Sequence, residues 1–180
     1  MLKRRCRRQP GFSLIEIMIS MAVLGLLLLV ALPSFSDWLQ NQQLRNAAEA
    51  TTNGFQVARA AAIRRNLPVK IIVGPGTAWS VQENSTGTLV QARAHEEGTA
   101  NAAITITPAA ATMATFNSLG GLIANTDGSP SIQRLDITNP AGGACQADGG
   151  AMRCLRVTVS GGGSIKMCDP IVAAGDTRAC

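Results

Sequence analysis

Few side chains in this chain are placed to do chemistry. One carboxylate, Glu16, interrupts an apolar run over residues 12–32, FSLIEIMISMAVLGLLLLVAL. Four cysteines, Cys145, Cys154, Cys168 and Cys180, crowd the end of the chain, and a fifth, Cys6, sits near its start. An even cysteine cluster on an exported segment reads as two disulfides. Sequence alone allows three pairings. Cys145–Cys154 and Cys168–Cys180 are favoured, because local closures need the least chain search. The gaps lack the close paired spacing of structural zinc, so no metal is expected. His95, the one histidine, stands beside Glu96 and Glu97 in a loop pattern and reads as a solvated surface residue. No Ser/His/Asp signature is present, and Gly161–Gly163 lacks the spacing of a phosphate loop. Neither an enzyme nor a cofactor is expected.

These residues must be positioned by a long helix and a small head. The formal charge of +5 is carried by Lys3, Arg4, Arg5, Arg7 and Arg8. Cut after Gly11, the 16 basic residues of the chain fall to 11, against 11 acidic ones. The basic cluster before an apolar run marks a segment retained in the cytoplasm, not a nucleic-acid partner. Residues 12–33 are long and apolar enough to span a bilayer core of about 30 Å as a helix. A carboxylate costs about 2.5–3.5 kcal/mol at bilayer-centre depth and less near the interface. Pro33 is expected to kink the helix, and Gly25 to permit close helix packing. Residues 34–66 continue as an amphipathic half, with a narrow stripe of Leu44, Ala47, Ala48, Thr51, Phe55, Ala58 and Ala62. Asn66-Leu67-Pro68 stops it.

Beyond Pro68 the periodicity shortens to strands: 69–73, 79–83, 88–92, 103–107, 112–116, 132–137, 155–159 and 164–168. Asn84-Ser85-Thr86-Gly87 and Gly161-Gly162-Gly163 turn two hairpins. Residues 139–151 and 169–180 are loops tied by the disulfides. Aromatic content is only 3%, with no Tyr, so the core is built from small aliphatic side chains. The expected fold is α+β: a long N-terminal transmembrane helix packed against an antiparallel β-sheet head over 67–180.

The stretch Arg7-Arg8-Gln9-Pro10-Gly11-Phe12-Ser13-Leu14-Ile15-Glu16 resembles the type IV prepilin signal, shared by type IV pilins and type II secretion pseudopilins. The resemblance implies a leader, residues 1–11, that a membrane-embedded prepilin peptidase removes after Gly11. It also implies methylation of the new N-terminus, Phe12. A glycine before the cut leaves the backbone unhindered. Glu16 then becomes a register device: packed in a filament, it pairs with the free amino group of a neighbouring subunit's Phe12, and an unpaired charge there is penalised. The Ala- and Arg-rich stretch Ala58–Arg65 and the length of the head resemble the H-type pseudopilins and the FimU and FimT minor pilins. Four C-terminal cysteines fit the FimU/FimT side, since major pilins usually carry one C-terminal disulfide loop.

The resemblance implies a pilin-like fold, a single inner-membrane pass with a periplasmic head, and later a place in a surface filament. The implied partners are the prepilin peptidase, other minor pilins, the major pilin and the inner membrane. The first expectation for function is a minor pilin that primes or caps type IV pilus assembly. The alternatives are a DNA-binding minor pilin of natural transformation and an H-type pseudopilin of type II secretion. For double-stranded DNA, the candidate contacts are Arg153, Arg156, Lys166 and Arg178. They are interleaved with acids, and Gly175-Asp176-Thr177-Arg178 lacks the first Arg of the Gly-Arg-x-Arg motif of DNA receptors in this family.

Overall fold

The computed structural model describes residues 11–180, except the side chains at 30–33. The basic leader residues, Cys6 and the expected kink at Pro33 lie outside the described residues. The described residues form two units, one ending at Ser36 and one over 37–180. One helix, α1, runs Leu14–Arg65.

Within the second unit, Leu44, Ala47, Ala48, Thr51, Phe55, Ala58, Ala61 and Ala62 are buried, spaced by threes and fours along one face of α1. Small side chains let the helix lie close to the sheets. One close approach is at Gly54, where an added Cβ would sit 2.8 Å from the Trp79 ring and 3.1 Å from Ile71. The helix ends as Asn66 turns left-handed, at φ 53°. The Asn66 amide donates to the Ile63 carbonyl and the Leu67 amide to that of Ala62, each at 3.3 Å, which closes a Schellman motif. Pro68 follows and cannot rejoin the helix.

Nine strands follow: β1 (Val69–Val73), β2 (Trp79–Glu83), β3 (Leu89–Arg93), β4 (Ala103–Thr107), β5 (Met113–Phe116), β6 (Leu122–Ile123), β7 (Arg134–Thr138), β8 (Leu155–Val159) and β9 (Ile165–Cys168). They form two antiparallel sheets, ordered β3-β2-β1-β5-β6 and β4-β7-β8-β9. The sequence predicts an antiparallel head and does not divide it into sheets. Strand periodicity reports which face is buried, and it carries no information on which strands pair. The two-residue β6 was too short to register as a run. It pairs Leu122 with Phe116 across a turn at Gly120.

Alternation sets the inner faces. Val69 and Ile71 of β1, Leu135 and Ile137 of β7, and Val157 and Val159 of β8 point inward. They join Phe55, Phe116 and Ile132 in one apolar cluster shared by the helix and both sheets. Burying one such side chain contributes about 1.5–3 kcal/mol.

Candidate functional site

Ser13 opens α1 as its N-cap. Its hydroxyl accepts from the Glu16 amide at 3.3 Å, and its carbonyl accepts from the Glu16 and Ile17 amides. Glu16 is thus the third residue of the helix, within the first turn, where a negative charge meets the positive end of the helix dipole. The Ser13-x-x-Glu16 spacing is that of a capping box, a signal the sequence carried in plain form. The Glu16 carbonyl also accepts from the Ser20 hydroxyl at 2.7 Å. Phe12 is 80% exposed, and Gly11 has no non-neighbouring atom within 4 Å of a built Cβ, so the backbone at this junction is open. Around and beyond Glu16, Leu14, Ile15, Ile17, Met18, Ile19, Met21 and Val23 are all exposed, an apolar surface on every side of the helix. Among the described residues no single helix is long and apolar enough to cross a membrane. Leu14–Leu29 and Ser34–Arg65 meet that test only as a pair.

In the second unit the disulfides are Cys145–Cys154 and Cys168–Cys180, closures of 9 and 12 residues. The first loop is also pinned to the helix: the Arg153 amide donates to the Asn41 side chain at 2.7 Å. Asn139, fully buried, donates to Gln40 Oε1 at 2.6 Å. Inside the loop closed by Cys168–Cys180, the Asp169 amide donates to the Arg178 carbonyl at 2.8 Å.

The four basic residues considered for DNA are each engaged within the head. Arg153 pairs with buried Asp169 at 2.6 Å, Arg156 with Asp136 at 2.6 Å, and Arg178 with Asp176 at 2.9 Å. Lys166 Nζ donates to the Ala179 carbonyl at 2.8 Å. Asp136 also holds Arg134, so two guanidinium groups of neighbouring strands share one carboxylate. The Arg178 side chain and backbone amide both donate to Asp176, and hold its carboxyl down to about 2. The Thr86 hydroxyl, then Arg65, lower Glu83, and Ser129 lowers Asp127.

His95 departs from the sequence expectation of a solvated residue. It is half-buried, and its Nδ1 accepts from the Thr77 amide at 3.1 Å. The Thr99 hydroxyl donates to its backbone carbonyl at 2.7 Å, so ring and backbone together anchor the loop before β4. Among the described residues no cluster of His, Cys, Asp or Glu could hold a metal. A cleft of about 460 Å³, which the sequence did not signal, lies between α1 and the C-terminal loops. Trp38, Arg45 and Glu49 line it from the helix, and Arg153, Met167 and Arg178 from the other side.

Comparison with known proteins adds to this geometry. The model of the prokaryotic N-terminal methylation motif matches residues 6–32. The model of the type II transport protein GspH matches residues 47–163. A type IV major alpha-pilin of Moraxella bovis is 34% identical over 61 residues, 34% of this chain. The chain spans 38% of that relative's length. Two crystal forms of the Pseudomonas aeruginosa type IV minor pilin FimU share the fold. They superpose with TM-scores of 0.54 and 0.52, at 17% and 19% identity. The alignments cover 72% and 69% of this chain and 91% of FimU in each case.

Proposed function

This chain belongs to the GspH family of type II transport proteins, and from that premise we propose that it is a minor pilin that primes or caps assembly of a type IV pilus. The family makes it a pilin or pseudopilin, a structural subunit. The finer role is our reading. Its main support is the conjunction of an N-terminal methylation motif over residues 6–32 with a head of the FimU fold.

The steps follow from the chain's own residues. The leader, residues 1–11, holds the N-terminus in the cytoplasm through its Lys and Arg cluster. Residues 12–33 cross the inner membrane once, 34–66 continue as the amphipathic half of the helix, and 67–180 form the periplasmic head. The prepilin peptidase cleaves between Gly11 and Phe12, where nothing crowds the backbone, and Phe12 is methylated. Glu16 sits one helical turn from the new N-terminus. Its carboxylate is then placed to meet the Phe12 amino group of a neighbouring subunit, which fixes depth and stagger in an apolar bundle. Partners are other minor pilins and the major pilin.

A second reading, an H-type pseudopilin of type II secretion, is favoured by the family match itself, over residues 47–163. The DNA-uptake reading draws less support, since three of its four cations already face carboxylates. The deciding experiment counts surface pili in a deletion strain with retraction disabled and the major pilin expressed. A sharp drop is the expected result. Normal piliation would reject the priming role, and secretion and transformation assays in the same strain would then rank the alternatives.

A further inference from the structure

Trp38, Gln42, Arg45 and Glu49 recur at steps of three and four, so they share one face of α1. That face is one wall of the cleft of about 460 Å³, and Arg153, Met167 and Arg178 stand on the other. Three guanidinium groups thus meet two carboxylates, Glu49 and Asp169, in one place. Buried Asp169 takes Arg153 at Nε, at 2.6 Å, which fixes that guanidinium. The two terminal nitrogens of Arg153 donate no hydrogen bond among the described residues. Arg45 is exposed and enters none of the ion pairs among the described residues. Helical side chains lean toward the N-terminus, so Arg45 leans back along its face toward Trp38.

The place of the cleft along the chain says what it meets. Trp38 follows the apolar run over residues 12–33 by five residues, at most about 18 Å of chain even when fully extended. This tether keeps the Trp38 end of the cleft close to the headgroup layer, about 5–8 Å thick on each side of the bilayer core. Trp38 is 57% exposed, and an indole, apolar with one polar edge, suits that boundary. Lipid phosphates are the anions concentrated there, and a guanidinium meets a phosphate through two parallel N–H donors. Tethering raises their effective concentration, so two or three contacts suffice. A DNA duplex arriving from solution must instead be gripped by many cations at once.

We propose that this cleft takes the headgroup phosphate of an anionic phospholipid from the membrane that anchors the helix, with Arg45 and Arg153 on the phosphate and Trp38 at the rim. This rests on the membrane crossing proposed for residues 12–33. The test places a photo-crosslinking residue at Met167 of the full chain, in vesicles that contain phosphatidylglycerol, and identifies the adducts by mass. The expected product is a lipid adduct. Arg45→Gln, a change at an exposed helix position, should lower its yield about fivefold, the share of one basic residue at an anionic membrane surface. Vesicles of phosphatidylcholine alone should lower it as well, and soluble glycerol phosphate should leave it unchanged. The same crosslinker at Leu39, which is 44% exposed and lies outside the cleft, reports only that lipid is near. Its adduct should form with or without Arg45→Gln. Lipid adducts at Leu39 but none at Met167 overturn the proposal. So does a Met167 adduct to protein alone, one indifferent to Arg45→Gln or to lipid charge, or one lost to soluble glycerol phosphate. No lipid adduct at either position instead rejects the membrane crossing, and this proposal with it.

Discussion

Glu16 has one role the structure shows and one that is proposed for it. As the third helical residue it sits in a capping arrangement with Ser13, worth a few tenths to about 1 kcal/mol of dipole interaction. As a charge in an apolar surface it is proposed to pair with the amine of a neighbouring subunit. Glu16→Gln keeps the size of the side chain and removes the charge. Incorporation into filaments, scored by immunoblot of sheared pili, should collapse while the chain still accumulates in the membrane. Unchanged incorporation would leave Glu16 with the capping role alone. At the other end of the chain, Asp176 titrates at about 2 because Arg178 donates to it from side chain and backbone. A carboxyl with a folded value below its unfolded one, about 3.9, stabilises the fold above that range and loses its effect as pH falls towards 2. Asp176→Asn should therefore flatten the melting-temperature profile between pH 4 and 2 and leave its slope above pH 5 unchanged.

The helix was the most legible element. Its stripe, written in steps of three and four, is the buried face found, and the Asn66-Leu67-Pro68 stop forms a Schellman cap. Strand positions were legible to within about two residues, because alternation of burial is local. The partition into two sheets was not. It depends on β1 pairing with β5 rather than with the intervening β4, a contact over more than 40 residues that no local pattern encodes. Of the site residues, Ser13 was readable from its spacing to Glu16. The cleft beside Arg153 was not, since the helix and the C-terminal loops that line it lie far apart in sequence. Gly54 gives this packing a measurable consequence. An alanine there gains up to about 1 kcal/mol of helix propensity, yet must displace the buried Trp79 ring, and overpacking costs about 1–3 kcal/mol. Gly54→Ala should lower the melting temperature, whereas Ala60→Ser, on the exposed side of the same helix, should change it little.

At the scale of the molecule, covalent and packed reinforcement are unevenly shared. The five-stranded sheet relies on the apolar cluster, while both disulfides lie at the end of the chain that builds β8 and β9. Replacing either cystine by two serines should cost about 2.5–3 kcal/mol by loop-closure entropy. A melting temperature that does not move in either double variant would contradict that. The helix has a different consequence, a mechanical one. Its buried stripe from Leu44 to Ala62 extends about 27 Å at 1.5 Å per residue. Tension entering from the N-terminal side pulls this stripe lengthwise over the sheets, so many contacts must slip together instead of parting one by one. Past Arg65 the chain runs into β1, which is gripped on both sides by β2 and β5. A strand in that position cannot be peeled from an edge. The head is therefore arranged to resist being drawn out by its own tether.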